Sequence, residues 1–401
     1  MRFLEKRKVI AIIIAVVLVT NVITLYFSGL GVKAIDSVYN SLVNTDGVSL
    51  SNIEKYNYVK DLLKSEYVDN VDDNLLMEGA IRGLAESIND PYTEYMDKNE
   101  FEKLETYTKA NYPGIGVVVG VNPKDKLIII SEVFDNSPAQ KSKLSVGDEI
   151  IKVNDIEVTG DELDKAVSMI KGEKGTKVKI TVWREETKQT LDFEVIRDEI
   201  EIITVKTKEL SNDIGYIRII QFADNTSQEF KNALVDLKSK GMKKLVIDLR
   251  DNPGGLLDQV VEVCGQLLPK GLVVYTIDRD GNRKDSFSQG KGIDMPYIVL
   301  INERSASASE ILAGAVKDYS TGKLIGTKTY GKGVVQSVFK LKDGSGLKVT
   351  TSKYYTPKGI SINKIGVQPD ILVELNSDKS ISKLTQEEDV QIKKAIEVLG
   401  Q

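Results

Sequence analysis

Three turns in the second half of the chain concentrate small and reactive residues. They occupy residues 248–255, 305–310 and 326–333, where predicted strands give way to helices or loops. In α/β sheets, such positions carry active sites. The 401 residues include no histidine, which excludes Ser-His and Cys-His mechanisms and removes the usual general base. A hydrolase built on these turns needs a lysine, a carboxylate or an amino terminus as its base.

The first two turns each offer one half of an acyl-transfer site. Gly254 and Gly255 precede a predicted helix and leave backbone N–H groups open, as an oxyanion hole requires, although an ordinary strand-to-helix turn explains them equally well. In the second turn Ser305, Ser307 and Ser309 alternate with alanines at a helix start. The helix dipole favours negative charge on a serine oxygen there, and a helix N-cap requires only one serine.

The third turn raises an alternative from another class of protein. Gly326, followed by four residues and Gly331-Lys332, matches most of a phosphate-binding P-loop, which is typical of an ATPase. However, Gly333 stands where a P-loop needs a magnesium-binding serine or threonine, and the residues after it are β-type rather than helical. The ATPase is therefore the weaker hypothesis.

The elements that must position these turns alternate between strand and helix. Apolar runs predict strands over 214–219, 244–249 and 297–301, and helical periodicity predicts helices over 227–240, 256–268 and 309–319. This alternation indicates an α/β fold with a buried, largely parallel sheet. Glycine-rich β-type segments follow over 324–355, and the chain ends in a predicted helix with a capping box at Thr385 and Glu388.

Residues 110–197 have a different character, with short β-type runs over 117–121, 127–133, 149–153 and 178–183 and one helix over 161–170. The segment Tyr112-Pro113-Gly114-Ile115-Gly116-Val117 resembles the carboxylate-binding loop and next strand of a PDZ domain. Residues 137–139, 147–150 and 153–154 resemble its middle signature. Backbone N–H groups at such a turn hold a carboxylate while a peptide adds as a strand. The resemblance therefore implies that Gly114, Ile115, Gly116 and Val117 bind a substrate's C-terminal tail.

The amino terminus predicts a membrane anchor. Residues 9–30 are apolar for about the length that spans a bilayer, and the basic tip over 1–8 places that end in the cytosol. The bulk of the chain then lies outside the cytoplasm. The alternative is a signal peptide that is cleaved, which would give a secreted protein. Residues 31–109 are predicted to be helical, with a break at Asp90-Pro91-Tyr92, and to serve packing or dimerisation.

Taken together, residues 48–374 resemble the carboxyl-terminal processing peptidases, also called tail-specific proteases. By that resemblance Ser307 is the nucleophile, Lys332 is the general base and Gln336 positions the lysine. The N–H group of Ala308, with that of Gly254 or Gly255, stabilises the oxyanion. Asp90-Pro91-Tyr92 and Gly366-Val367-Gln368-Pro369-Asp370 resemble further landmarks of the family.

The resemblance implies an α/β peptidase core with an inserted PDZ-like β-rich domain, a helical N-terminal region and one transmembrane helix. The predicted ranges are a basic tip (1–8), an anchor (9–30), a helical region (31–109), a PDZ domain (110–197), a peptidase core (198–370) and a helical tail (371–401). We expect a serine endopeptidase, gated by its PDZ domain, that acts outside the cytoplasm on exposed C-terminal tails. We also expect a homodimer that needs no metal or cofactor. A catalytically silent PDZ scaffold is the remaining alternative.

Composition limits the other possibilities. The 54 basic and 59 acidic residues give a net charge of −5, which argues against nucleic-acid binding. Cys264 is the single cysteine, so an intramolecular disulfide and a cysteine-rich zinc site are excluded. Because Cys264 lies in an apolar run, we expect a buried, inert thiol rather than a nucleophile.

Overall fold

The computed structural model describes residues 50–210, 213–375 and 379–400. They fall into two compact units, one reaching to Leu84 and one running from Ala85 onward. The predicted basic tip (1–8) and membrane anchor (9–30) lie outside the described residues. Across the three described ranges, no helix combines the length and the apolarity needed to cross a bilayer.

Two helices account for the described part of the first unit. They are α1 (Leu50–Glu66) and α2 (Asp73–Glu86). Both helices fall within the region predicted to be helical, residues 31–109, and confirm that prediction for residues 50–86, with a further break at residues 67–72. Each helix exposes large apolar side chains, among them Tyr58 on α1 and Leu75 on α2.

The second unit begins with a short strand and a capped helix, β1 (Glu94–Met96) and α3 (Lys98–Lys109). Asp97 and Glu100 form the cap, since each side chain accepts a hydrogen bond of 2.9 Å from the backbone N–H of the other. A left-handed residue, Ala110 with φ of 49°, ends the helix. This helix confirms the helical structure predicted to resume after the break at Asp90-Pro91-Tyr92.

The PDZ-like region has its own core. Its elements are β2 (Asn111–Gly114), β3 (Val117–Val121), β4 (Ile128–Val133), α4 (Pro138–Lys141), β5 (Glu149–Val153), β6 (Ile156–Glu157), α5 (Leu163–Ile170), β7 (Lys177–Arg184), β8 (Gln189–Ile196) and β9 (Asp198–Glu201). A six-stranded antiparallel sheet in the order β3-β4-β5-β7-β8, with β6 on β5, packs against α5, while β2 pairs with β9. The four predicted strands and the predicted helix are confirmed. Strand β8 was not predicted because most of its side chains are at least partly exposed, which leaves little apolar signal.

The remainder forms the α/β core. Its elements are β10 (Val205–Glu209), β11 (Ile214–Ile219), α6 (Thr226–Ser239), β12 (Lys244–Asp248), α7 (Leu257–Leu267), β13 (Pro269–Asp278), β14 (Arg283–Lys291), β15 (Tyr297–Ile301), α8 (Ala308–Tyr319), β16 (Lys323–Gly326), β17 (Val334–Lys340), β18 (Gly346–Tyr355), β19 (Ile371–Leu372) and α9 (Val390–Gly400). The three strands and three helices predicted for this region are confirmed to within about two residues.

A six-stranded sheet in the order β10-β11-β12-β15-β16-β19 forms the centre of the core. Every neighbouring pair is parallel except β10 with β11. Helices α6, α7 and α8 cover one face and α9 packs on the other, so β15 is buried along its whole length. This double cover is the reason the central strands read as continuous apolar runs. Cys264 is buried in this core, and burial raises the pKa of its thiol.

A second sheet, in the order β1-β18-β13-β14 with β17 on β18, carries the third reactive turn. Gly333 leads directly into β17. A P-loop requires a helix at this point, so the ATPase alternative is contradicted.

The hairpin of β13 and β14 was not predicted, because β14 is largely polar and partly exposed.

The C-terminal helix is held by buried charges. Asp389 caps α9 by accepting from the N–H groups of Gln391 and Ile392, and its other oxygen lies 2.8 Å from Arg250. Arg250 also pairs with Asp248 at 2.6 Å. The predicted capping box of Thr385 and Glu388 forms its two hydrogen bonds. The helix itself begins only at Val390, so the predicted start was one turn too early.

Candidate active site

A single cleft of about 830 Å³ brings the three reactive turns together. Six of the predicted site residues line it: Gly254, Gly255, Ser307, Ala308, Lys332 and Gln336. They come from the turn after β12, the start of α8, the turn before β17 and, for Gln336, β17 itself. The cleft therefore unites positions up to 82 residues apart, 336 − 254, from segments of two sheets.

The three alternating serines have different surroundings. Ser305 is buried, where its hydroxyl donates to Leu249 O at 2.8 Å and accepts from the N–H of Asn302 at 2.9 Å. Ser309 is also buried, and its hydroxyl donates to Asn252 O at 3.0 Å. Ser307 alone of the three lines the cleft. The outer serines thus fix the turn, and the middle one faces the space where a substrate would lie.

One buried carboxylate holds both predicted catalytic residues. Glu310 Oε2 accepts from the N–H groups of Ser307 and Lys332, each at 2.9 Å. Its Oε1 accepts from the Thr329 hydroxyl at 2.6 Å and the N–H of Gly331 at 2.7 Å. A carboxylate has about four acceptor positions, so these donors occupy all of them. Burial raises the pKa of Glu310, and the hydrogen bonds oppose that shift.

Tyr354 on β18 holds the same two residues by their carbonyl groups. Its hydroxyl lies 2.6 Å from Lys332 O and 3.1 Å from Ser307 O. Tyr354 is 1% exposed, and burial raises the pKa of its hydroxyl, which keeps the proton it donates. The backbones of Ser307 and Lys332 are consequently tied together from both sides. This support fits the unusual backbone of Ser307, with φ of 54° and ψ of −112°.

The environment of Lys332 favours its neutral form. Burial is the main cause that lowers the pKa of this ammonium group, and the positive charge of Lys348 adds to it. The carboxylates of Asp90, Glu94 and Glu310 act in the opposite direction. The net shift is downward, as a lysine that accepts a proton requires.

The structure brings Lys332 and Gln336 to the cleft without joining them. The amide nitrogen of Gln336 donates to Thr350 Oγ1 at 3.1 Å. Lys332 Nζ lies 4.6 Å from the centroid of the Tyr92 ring. Among the described residues, no hydrogen bond joins Lys332 Nζ to Ser307 or Gln336. The predicted pairing of Lys332 with Ser307 and Gln336 is therefore not formed in this structure.

The two glycines of the first turn differ in what their N–H groups do. Gly254 is buried and donates to Asn252 Oδ1 at 2.8 Å. Gly255 is exposed, and no acceptor for its N–H or for that of Ala308 is found in the described parts of the chain. Gly255 must be glycine, since its φ is 141° and an added Cβ would lie 2.0 Å from Phe222 O. The free N–H groups are therefore those of Gly255 and Ala308.

The predicted tail-binding residues line a separate pocket of about 120 Å³ in the PDZ-like region. Gly114, Ile115, Gly116 and Val117 form one side and α5 forms the other, with Lys171 at its end. Ile115 is 1% exposed and belongs to the domain core. Its contribution to a ligand is thus restricted to its backbone.

Helix α3 lines both pockets. Thr106 contacts the tail pocket, while Leu104, Tyr107 and Thr108 line the catalytic cleft. Its last turn is bonded to the core, since Tyr107 O accepts from Gln221 at 3.0 Å and Thr108 O accepts from the N–H of Asp224 at 3.1 Å. Between Gln221 and Asp224, the backbone N–H of Phe222 donates to Gly254 O at 2.9 Å. A short bonded route therefore connects the two pockets.

Several residues of the site were not predicted. Glu310 had a local signal, since Ser307-x-x-Glu310 has the spacing of a capping box. Asn252, whose side chain fixes the first turn, had no signal beyond its place in that turn. Tyr354 had none, because it meets Ser307 only through the pairing of β17 with β18.

Comparison with known proteins identifies the family. Residues 213–373 match peptidase family S41, residues 104–183 match the PDZ domain, and residues 31–100 match the N-terminal domain of the activating protease CtpB. A carboxy-terminal-processing protease of Bartonella bacilliformis is 37% identical over 82% of this chain and 77% of its own length. The carboxy-terminal processing protease CtpA of Bacillus subtilis is 34% identical over 92% of this chain and 77% of its own.

Among solved structures, the photosystem II D1 C-terminal processing protease is 29% identical, with a TM-score of 0.47, over 86% of this chain and 91% of its own. The chain therefore belongs to the carboxy-terminal processing proteases of peptidase family S41, and it is a serine-type peptidase with a PDZ domain.

Proposed function

We propose that this protein is an endopeptidase that cleaves substrates with exposed C-terminal tails by a Ser307–Lys332 dyad. The observation that carries the proposal is the separation of roles among the three serines, because only Ser307 lines the cleft that also holds Lys332. The lowered pKa of Lys332 supports its role as base. The absence of histidine from the sequence leaves this role open to lysine.

The mechanism begins when Ser307 Oγ attacks the substrate carbonyl and neutral Lys332 accepts the serine proton. The N–H groups of Gly255 and Ala308 stabilise the negative oxygen of the tetrahedral intermediate. Collapse breaks the C–N bond, and Lys332 returns the proton to the leaving amine. Water then attacks the acyl-enzyme, again with Lys332 as base, and releases the second product. Gln336 restrains the lysine when it has turned toward Ser307.

Tail binding is proposed to control this reaction. The tail carboxylate docks on the loop of Gly114–Val117, beside Lys171, and the peptide adds to β3. Helix α3 supports a gating role, since Thr106 faces the tail pocket and Tyr107 faces the catalytic cleft. A ligand that shifts α3 would act on the loop that bonds to Gly254.

The first prediction concerns the nucleophile. Ser307→Ala should abolish peptide cleavage without lowering the stability of the fold. Ser305→Ala and Ser309→Ala should retain cleavage but lower the free energy of unfolding by about 1–3 kcal/mol, because each removes a buried hydrogen bond. Cleavage of an unfolded protein with an apolar tail, with urea unfolding of the same samples, measures both effects. Turnover by Ser307→Ala would contradict the assignment.

The second prediction concerns the base. Lys332→Arg should be as inactive as Lys332→Ala, since arginine does not give up its proton in a protein. In the wild type, kcat/KM should rise with pH through an apparent pKa below the value of about 10.4 for free lysine. The sign follows from the chemistry, because only the neutral amine accepts the serine proton. Substantial turnover by Lys332→Arg would exclude this residue as the base.

The third prediction concerns the tail. Gly116→Ala should weaken tail binding at least tenfold, because Gly116 has φ of +80° and its Cβ would lie 2.4 Å from the Cβ of Ser137. Gly147→Ala is the matched control, with φ of +91° in the same domain and no atom within 4 Å of its Cβ. Amidation of the peptide's C-terminus should weaken binding to the wild type similarly. Equal binding of amidated and free-acid peptides would refute the carboxylate role.

The fourth prediction concerns the anchor. We propose that residues 9–30 hold the protein in the cell membrane, with the peptidase on the extracytoplasmic side. The full chain should stay with membranes after a high-salt wash, and a chain lacking residues 1–30 should not.

The fifth prediction concerns the dimer. We propose that α1 and α2 contribute to a homodimer interface, because Tyr58 is 65% and Leu75 69% exposed. By light scattering, the full chain and the chain lacking residues 1–30 should both be dimers, so a monomeric shorter chain would refute this interface.

A further inference from the structure

An aromatic ring that the dyad does not account for lies against the general base. Tyr92, from the segment Asp90-Pro91-Tyr92, presents the face of its ring to Lys332, whose Nζ is 4.6 Å from the ring centroid. A cation within about 6 Å of such a face is attracted by the negative charge of the π system. The contact therefore favours the ammonium form of Lys332.

The carboxylates around this ammonium group are already engaged with other partners. Glu310 accepts its four hydrogen bonds from other donors, and Glu94 is paired with Lys348. Asp90 accepts from the hydroxyl of Thr93 at 2.7 Å. Among the described residues, none of these carboxylates lies within ion-pair distance of Lys332 Nζ. The charged groups that face Lys332 are Asp90, Glu94, Glu310 and Lys348.

Tyr92 is fixed in place by its own segment. Its N–H donates to Asp90 Oδ1 at 3.3 Å, and Thr93 Oγ1 accepts from the N–H of Thr350 at 3.1 Å. Strand β1, which begins directly after Thr93, pairs with β18. Burial is the main cause that raises the pKa of the Tyr92 hydroxyl to about 12, and the neighbouring Tyr330 adds to it. The ring is thus attached to the same strand, β18, that carries Tyr354.

We propose that Tyr92 is a positioning residue for Lys332, whose ammonium form it holds on its ring face, apart from Ser307, until substrate enters the cleft. The inference rests on the proposed dyad. Two opposing influences then act on one amine, since burial favours the neutral form and the ring favours the charged form. Lys332 becomes a competent base when its side chain leaves the ring and turns to Ser307, a movement that the fixed backbones permit.

Two substitutions separate the ring face from the rest of the side chain. Tyr92→Leu keeps apolar bulk but removes the π face, whereas Tyr92→Phe keeps the face and removes the hydroxyl. Loss of the face removes a stabilisation of the charged form, so the pKa of Lys332 should fall. In Tyr92→Leu the rise of kcat/KM with pH should move about one pH unit toward acid, which raises kcat/KM about tenfold on the acid side. In Tyr92→Phe the midpoint should move by less than about 0.3 unit.

Two controls accompany the pH series. Tyr330→Phe removes the neighbouring hydroxyl that acts on the hydroxyl of Tyr92 but leaves the Tyr92 ring face intact, and it should leave the midpoint where it is. A second readout does not require turnover: in the Ser307→Ala background, the pH dependence of Lys332 acylation by an amine-selective reagent should show the same acid shift with Tyr92→Leu. If Tyr92→Leu does not fold, Tyr92→Met takes its place.

An unchanged midpoint in Tyr92→Leu would overturn the proposal. An alkaline shift would also overturn it, because the ring would then act by excluding water. The test distinguishes this failure from failure of the dyad. If Lys332→Ala is inactive and the midpoint does not move, the role of Tyr92 alone is wrong. If Lys332→Ala retains turnover, the dyad is wrong and the role of Tyr92 falls with it.

Discussion

The active site depends on one buried carboxylate with a complete set of donors. Glu310 accepts hydrogen bonds from Ser307, Thr329, Gly331 and Lys332, and thereby joins the start of α8 to the turn before β17. A buried carboxylate is costly unless its acceptor positions are filled. Any displacement of either segment would leave part of that carboxylate unsatisfied. The relative position of the Ser307 and Lys332 backbones is consequently fixed by the need to satisfy this buried carboxylate.

Tyr354 completes this constraint from the opposite side. Glu310 bonds the N–H groups of Ser307 and Lys332, and Tyr354 reaches their carbonyl groups. With both peptide units held at each end, the remaining freedom is that of the lysine side chain. Burial and the charge of Lys348 lower the pKa of that amine, and the carboxylates of Asp90, Glu94 and Glu310 act in the opposite direction. In the role proposed for Tyr92, its ring adds to the side that favours the charged form.

A small number of contacts also links the two pockets. Helix α3 contributes Thr106 to the tail pocket and Tyr107 to the catalytic cleft, and its last turn is bonded to the loop beside the first reactive turn. Because one helix is part of both walls, the proposed control of cleavage by tail binding would need no longer chain of side chains between the two pockets.

Residue types and their spacing are enough to predict the α/β core, the PDZ domain and the need for a base other than histidine. Strands buried on both faces carry continuous apolar runs, and composition does not depend on folding, so these features can be recognised in the sequence alone. Three features of the site emerge only on folding: Ser307 faces the cleft while Ser305 and Ser309 face inward, Gly255 rather than Gly254 keeps its N–H free, and Glu310, Tyr354 and Tyr92 lie around Ser307 and Lys332. These outcomes depend on side-chain direction at turns and on contacts between distant segments. Periodicity reports which face of an element is buried, but the partner that a buried group meets is set by how the sheets pack.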